Sequence, residues 1–344
     1  MSGIDDSLKQ QICSYLNFSE GILPVRYLGV PLISKRLSCL DCSALLSRIS
    51  EKFQNWQKRK VLSYAGRLQL IKSVILGIHI FWTNNYILPS KVLRKIDSLC
   101  SEFLWNRKIP LVSWNSVCQN KKQGDLGVFS ARIWNQATAI KIMWLIHLKK
   151  DHLWVKWIHG NYLSHANVWQ VQVKINDSWM WKQIIKMSDM LIGMLGSTEN
   201  LTNLIDSCCV NGKIVVSAVY EKLNHSSQQV AWSATVWDSL HYPKHSFILW
   251  LVAHSRLLTQ ERLCRMNIIN TNRCVLCSNQ LETCQHLFFD CQYSASVWNK
   301  VMDWLKFNCR SCDWEHIIDW YSCRLRRNNF TEKLKRMALS VSVY

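Results

Sequence analysis

Apolar residues in the first third of the chain recur every three or four positions, the spacing of one face of an α-helix. Polar and basic residues fill the positions between them. Three such runs follow one another: Cys42-Leu46-Ile49-Phe53-Trp56, Leu68-Ile71-Ile75-Ile78 and, after Pro89, Val92-Ile96-Leu99-Phe103. Three consecutive helices with apolar seams predict a small helical bundle.

Helical periodicity resumes beyond a loop-rich stretch at 106–130 and continues from Ile133 to Tyr162. The signal weakens after residue 163, where Trp179 and Trp181 indicate one more short packed element. Gly193, Gly196, Ser197 and Thr198 predict a linker. A second unit is expected to begin near Gly212, with a strand-like run at 214–216. The predicted fold class is therefore mainly α.

The composition predicts a folded, soluble protein. The length of 344 residues allows two or three domains, and a content of 49% hydrophobic and 19% charged residues predicts buried cores rather than disorder. No apolar run reaches the roughly 18 to 20 residues that a membrane span needs. Residues 1–6 are polar and do not resemble a secretory leader. A nuclear or cytoplasmic location with reduced thiols is expected, since the cysteine count of 15 is also odd.

The charge balance indicates a polyanionic partner. Lys and Arg number 42 against 23 Asp and Glu, a formal net charge of +19. Such a surface attracts RNA or DNA phosphates, although a solvated basic surface without a ligand is the alternative. The 18 tryptophans could stack on bases, but core packing is their more common use.

Basic residues on the predicted helical bundle are the candidate nucleic-acid contacts. Each is expected to point outward from the apolar face of its helix or to lie at a helix end. An ordinary solvated side chain is the alternative for any one of them. The candidates are Lys58, Arg59, Lys60, Arg67, Lys72, Arg94 and Lys95.

A cysteine-histidine cluster is the strongest chemical signal. Cys274, Cys277, His286 and Cys291 have the spacing C-x2-C-x8-H-x4-C, the ligand set of a closed tetrahedral zinc site. Cys284 lies inside the loop and could compete as a ligand. Unliganded core cysteines are the alternative. A structural zinc ion is the predicted cofactor.

Two further groups carry weaker signals. Cys309, Cys312, His316 and Cys323 could form a second metal site, but their apolar neighbours favour core cysteines. Two basic runs near the C-terminus, 324–327 and 333–336, could contact phosphate or act as nuclear localisation patches; solvated helix ends are the favoured reading.

The order of several short blocks resembles the C-terminal part of plant non-LTR (LINE-type) retrotransposon reverse transcriptases. The blocks include Leu23-Pro24-Val25-Arg26-Tyr27-Leu28-Gly29, Leu62-Ser63-Tyr64-Ala65-Gly66-Arg67, Gly124-Asp125-Leu126-Gly127-Val128, Pro243-Lys244-His245-Ser246-Phe247 and the cysteine-histidine cluster. The resemblance implies a palm-end remnant at 1–35, a thumb-like helical bundle at 36–108, a helical linker region at 109–211, a reverse-transcriptase zinc-binding domain at 212–300 and a basic C-terminal tail at 301–344.

Catalytic residues are not expected in this chain. Reverse transcriptases align two magnesium ions with palm carboxylates, two of them in an aromatic-x-Asp-Asp turn. Asp5-Asp6 is the single Asp-Asp pair here and follows Gly3-Ile4. The sequence therefore predicts a non-catalytic fragment that binds RNA or an RNA–DNA hybrid. The alternatives are a domesticated protein–protein interaction module and a decayed retroelement product without a selected function.

Overall fold

The structure is a computed structural model that describes residues 4–19, 23–33, 35–58, 62–107, 109–163, 166–224, 228–310, 312–324 and 329–344. Helices dominate these residues, as the sequence predicts. In the first half, the α-helices are α1 (Asp6–Leu16), α2 (Ser43–Gln57), α3 (Tyr64–Leu70), α4 (Leu76–Thr83), α5 (Ser90–Trp105), α6 (Trp114–Val117), α7 (Ala131–His147) and α8 (Leu153–Ile158). In the second half they are α9 (Trp179–Leu195), α10 (Thr198–Ser207), α11 (Val216–Leu223), α12 (Ser233–Val236), α13 (Pro243–Ala253), α14 (Gln260–Arg265), α15 (Gln292–Trp304), α16 (Trp314–Arg324) and α17 (Phe330–Val343).

Two short antiparallel hairpins are the strand pairs of the described residues. β1 (Val25–Tyr27) pairs with β2 (Val30–Leu32), and β3 (Cys209–Val210) pairs with β4 (Lys213–Ile214). The strand predicted at 214–216 is thus shorter than expected, because α11 already begins at Val216.

The predicted bundle helices are confirmed as α2, the α3–α4 segment and α5. Leu45, Ile49 and Phe53 of α2 are buried, and Phe53 stacks on Phe103 of α5 at a ring-centroid distance of 4.4 Å. The second predicted helix is continuous from Tyr64 to Thr83 but contains a π-helical turn at Ile71–Ile75. A π turn widens the helix by one residue and changes which side chains face the core.

The turn after α6 brings two distant segments into contact. A 3₁₀ turn at Lys121–Gln123 ends at Gly124, which has a φ of +91°. A Cβ atom at this position would lie 2.9 Å from a methyl carbon of Val230 and 3.0 Å from the ring of Trp232. Position 124 therefore requires glycine, both for the left-handed backbone conformation and for the close packing against Val230 and Trp232.

The predicted linker at 193–198 is wrong. Gly193 lies within α9, and Gly196 ends that helix with a φ of +86°. Ser197 then caps α10, its side chain accepting a hydrogen bond of 3.1 Å from the Asn200 backbone N–H. A left-handed glycine followed by an N-cap serine makes a tight helix–helix corner.

Two hydrophobic cores organise the described residues, and they do not follow the predicted domain boundaries. The first contains buried residues from Val30 to Val343, and it joins α2 and α5 to α13, α16 and α17. The second joins α7, α9 and α10 to α11, although α11 lies within the predicted 212–300 unit. The helical bundle and the cysteine-histidine region thus share one core.

The segment 301–344, predicted to be a basic tail, is packed against the fold. Leu339 and Val343 of α17 are buried in the first core. Arg336 forms a largely buried ion pair with Asp238, its Nε lying 3.0 Å from a carboxylate oxygen. The His241 ring also lies 3.1 Å from the Arg336 carbonyl oxygen.

Most tryptophans are core residues, as expected. Of the 18, Trp154, Trp157 and Trp304 are exposed. No helix in the described part of the chain is long and apolar enough to cross a lipid bilayer.

Candidate metal centre and basic junction

A tight turn places the first two cysteines beside each other. The Cys274 N–H donates to the Gln280 carbonyl at 2.8 Å, and the Ser278 N–H donates to the Cys274 carbonyl at 2.8 Å. Ser278 has a left-handed φ of +57°, which lets the chain turn back directly after Cys277. Both sulfur atoms consequently face the same side of the turn.

Glu282 fixes this turn to α14. Its side chain is 5% exposed. One carboxylate oxygen accepts a 3.0 Å hydrogen bond from the Val275 N–H, and the other accepts a 2.9 Å bond from the Gln260 N–H at the start of α14. Glu282 was not predicted as a functional residue, and its one signal in the sequence is that it is a lone acid between the two ligand pairs.

A π-helical turn at His286–Asp290 supplies the other two candidate ligands. The His286 N–H donates to the Thr283 hydroxyl at 3.0 Å, and the Cys291 N–H donates to the His286 carbonyl at 2.8 Å. Phe289 within this turn is buried. Its ring centroid lies 5.7 Å from that of Trp314 and 5.8 Å from that of Trp298, so apolar packing holds the turn that carries the two ligands.

The four predicted ligands converge. The candidate ligand atoms of Cys274, Cys277, His286 and Cys291 all lie within 4.8 Å of one another. Cys277 Sγ is 3.3 Å from His286 Nε2. Tetrahedral zinc with bonds of about 2.0 to 2.3 Å separates its ligand atoms by roughly 3.3 to 3.8 Å. The donor set and its spacing fit a structural zinc ion, and the four residues would hold it.

The pKa values of the two thiols in the tight turn are shifted in opposite directions. Burial raises the pKa of the Cys274 thiol. Hydrogen bonds from the backbone N–H groups of Asn279 and Gln280 lower the pKa of Cys277 to about 6. A thiolate stabilised in this way is ready to bind a cation, because zinc binds the deprotonated sulfur.

Cys284 lies outside the cluster, and the burial of its thiol raises the pKa. Cys309, Cys312, His316 and Cys323 do not converge either; the first cluster is the single converging group of its kind in the part of the chain that the structure describes. Cys309 is a buried core cysteine, as favoured, and its carbonyl accepts a 3.1 Å bond from Trp298. Cys312 and Cys323 are exposed, so the core assignment is wrong for these two.

A set of basic side chains collects where the helical bundle meets the metal region. We call it the basic junction, and it consists of two groups that share Arg107: Arg67, Arg107 and Lys244 in one, and Arg107, Arg256, Arg262 and Arg265 in the other. Arg67, Arg107 and Lys244 line a cavity of about 370 Å³ between α3, the end of α5 and α13. The remaining three arginines lie on α14 or just before it.

Arg262 is at the centre of the junction. Its Nη2 donates to the Leu111 carbonyl at 3.2 Å, whereas its buried Nη1 has no hydrogen-bond partner among the described residues. Burial and the positive charges of Arg256, Arg265 and Arg107 lower the pKa of its guanidinium. Since positive charge accumulates here from segments about 150 positions apart, the fold rather than the local sequence creates this patch.

The seven candidate nucleic-acid residues fall into four groups. Lys58, Arg94 and Lys95 are exposed. Arg67 is half-buried at the basic junction, with Nη1 3.4 Å from the Phe103 carbonyl oxygen. The expectation of an outward Lys72 is wrong, because its ammonium group donates to the Leu126 carbonyl in a different cavity. Arg59 and Lys60 lie outside the described residues.

Comparison with known proteins agrees with the metal-site geometry. Residues 215–298 match the family model described as zinc-binding in reverse transcriptase. The chain is also 23% identical, over a 415-residue alignment, to a candidate ribonuclease H protein of Arabidopsis thaliana. That alignment covers 89% of this chain and 67% of the plant protein. These matches confirm the resemblance to reverse-transcriptase sequences of plants and the predicted zinc-binding region.

Proposed function

We propose that this chain binds nucleic acid, either RNA or an RNA–DNA hybrid, without catalysing a reaction on it. The observation that carries the proposal is the convergence of Arg107, Arg256, Arg262 and Arg265 at the basic junction. Guanidinium groups recognise phosphate through paired N–H donors. Arg107, Arg256 and Arg265 each repel the Arg262 guanidinium, although Arg265 also forms a 3.1 Å ion pair with Glu261. A bound polyanion relieves the remaining repulsion.

The metal centre supports the junction mechanically. Glu282 links the turn that carries Cys274 and Cys277 to the start of α14. Helix α14 carries Arg262 and Arg265, so a zinc ion that orders the turn also orders these two side chains. Zinc supplies folding free energy in such sites. Its role in the proposal is to hold the arginines in place, while the arginines contact the phosphates.

Two features support a non-catalytic role. The sequence contains no aromatic-x-Asp-Asp motif, the usual source of metal-binding carboxylates in a polymerase palm. The candidate zinc ligands number four and all come from the protein, which leaves no open coordination position for a reacting water. The ribonuclease H description is that of the plant relative.

Salt-dependent binding tests the proposal. We expect fluorescence anisotropy with a labelled single-stranded RNA, a DNA duplex and an RNA–DNA hybrid to show affinities that fall as salt rises. With three or more phosphates neutralised, the slope of log K against log salt should be about −2 or steeper. Sequence changes in the probe should matter little. No binding at low salt, or affinity that ignores salt, would contradict the proposal, and magnesium-dependent primer extension by the chain alone would contradict its non-catalytic part.

An interaction module for another protein is the second candidate. It is favoured by exposed apolar side chains around the metal region, namely Val275, Leu276, Tyr293, Val297 and Trp304. Surface aromatic and aliphatic groups of this kind are common in protein interfaces. The same salt titration separates the candidates, since apolar association weakens little when salt is added.

A further inference from the structure

A second basic cavity lies outside the basic junction. It has a volume of about 580 Å³ and lies between the π turn at Ile71–Ile75, residues 118–129 and α11. Lys72, Lys121 and Lys122 line it. Neither the metal centre nor the basic junction uses these three lysines. We call this feature the lysine cavity.

Lys72 is the deepest of the three cations. Its ammonium group donates to the Leu126 carbonyl, and its side chain is partly buried. Burial, followed by the charge of Lys121, lowers the pKa of Lys72 to about 8. The two ammonium groups are thus close enough to repel each other. Lys72 is partly buried whereas Lys121 is exposed, so water screens part of this repulsion.

No carboxylate compensates this charge by direct pairing in the described part of the chain. The ion pairs found there involve other residues. Lys121 Nζ instead lies 4.8 Å above the Trp237 ring. Glu221 is the one acidic residue in the lining, so three lysines and one glutamate leave the lining with a formal charge of 3 − 1 = +2.

The uncharged lining also suits a polar ligand. Asn120, Asn224 and Gln229 contribute amide groups, and Phe129 and Tyr220 contribute ring surface. Asn224 is buried and uses Nδ2 to bind the Cys118 carbonyl at 3.0 Å, which fixes the orientation of its amide. Binding cavities for small ligands commonly measure about 300 to 1,000 Å³ and combine apolar walls with a few charged groups.

We propose that the lysine cavity binds a phosphate group, held by the ammonium groups of Lys72 and Lys121. A phosphate monoester carries close to two negative charges at neutral pH, which matches the charge of the lining. The group can come from a free mononucleotide or from the phosphorylated end of a nucleic-acid strand. This site is separate from the basic junction, so its failure and the failure of the proposed function are distinguishable.

The test uses the full chain and three probes: inorganic phosphate, a 5′-mononucleotide and a short single-stranded RNA with or without a 5′-phosphate. Isothermal titration calorimetry measures each affinity for wild type and for Lys72→Gln, Lys121→Gln and Lys72→Arg. Lys186→Gln is the matched control, because Lys186 is an exposed lysine on α9 and its loss removes the same charge. Thermal denaturation monitors the folding of each variant.

We expect Lys72→Gln and Lys121→Gln to weaken phosphate binding at least about tenfold, while Lys186→Gln changes it less than about twofold. Lys72→Arg should retain most of the affinity. This variant keeps the positive charge, so it shows that the charge is required even if Lys72→Gln is less stable. Lysine-dependent binding of inorganic phosphate and mononucleotide identifies a small-molecule source; dependence seen with the 5′-phosphorylated RNA alone identifies a strand end. Equal effects of the cavity and control substitutions, or no binding of any probe, would overturn the proposal.

Discussion

Trp250 donates a hydrogen bond of 2.8 Å from its indole nitrogen to the carbonyl oxygen of Gly124, a residue 126 positions earlier. The ring nitrogen of His254 lies 2.9 Å from the same oxygen. Helix α13, in the region that matches the zinc-binding family, is thereby fastened to the turn that follows the helical bundle.

The Trp250 hydrogen bond gives the first prediction. Trp250→Phe preserves a ring that packs near Trp105 but removes the indole donor. We expect the free energy of unfolding to fall by about 1 to 3 kcal/mol, because a buried carbonyl loses a partner and the smaller ring leaves space. Chemical denaturation measures the change. Stability equal to wild type would show that His254 satisfies the carbonyl alone.

Asp125 gives a prediction on pH. Burial raises the pKa of its carboxyl from 3.8 to about 7, although a Trp250 hydrogen bond opposes this. The folded chain then holds the proton more tightly than the unfolded chain. The free energy of unfolding therefore decreases as pH rises between about 4 and 7, and this contribution is lost above pH 7.

Asp125→Asn isolates that effect, since asparagine keeps the shape and cannot ionise. Its melting temperature should rise relative to wild type as pH is increased from 4 to 8. The His254 ring nitrogen lies 3.4 Å from Asp125 and would favour the carboxylate if protonated. An asparagine variant that loses stability relative to wild type at pH 8 would mean that Asp125 is ionised and paired with His254.

Removal of zinc should disturb more than the metal region. The first core joins α13 to α2 and α5, whereas the second core lies around α7 and α9. We expect a strong chelator to lower helical circular dichroism and to expose residues from about 228 to 300 to protease, with partial loss of protection in α2 and α5. Fragments containing α7, α9 and α11 should persist, because α11 packs in the second core. Unchanged circular dichroism and protease resistance would refute a structural zinc ion.

Two cysteine substitutions identify the ligands. Cys277→Ser removes a thiol that faces His286, and we expect it to abolish stoichiometric zinc binding measured by elemental analysis. Cys284→Ser changes a neighbouring thiol outside the cluster and should retain the metal. The ligand assignment is wrong if the two variants bind zinc equally.

The sequence predicts those features that depend on local spacing. The helical faces of α2 and α5 follow from apolar periodicity, and the zinc ligands follow from two short cysteine-histidine spacings. The corner between α9 and α10 was misread as a linker, because Gly196 and Ser197 can serve either purpose.

Features that depend on distant contacts were not predictable from local patterns. Lys72 has the spacing of an outward residue, yet the turn at 121–127 covers it. Arg262 and Arg107 are 155 positions apart, and their proximity arises from the shared core. The basic junction thus exists only in the folded chain.

The central claim is that the basic junction binds nucleic-acid phosphates, and a charge-removal experiment at its rim tests this most directly. The junction variant is a double variant that carries both Arg256→Gln and Arg265→Gln, and both arginine side chains are exposed. The control is a double variant that carries both Lys150→Gln and Lys186→Gln, and it removes two exposed charges outside the basic junction. Salt-dependent anisotropy with single-stranded RNA is measured for wild type and both variants.

We predict that the junction variant binds RNA more weakly and that the magnitude of its log K against log salt slope falls by about 1.4, because roughly 0.7 is lost per phosphate contact. The control should keep the wild-type slope. Equal slopes for wild type, junction variant and control would contradict the account.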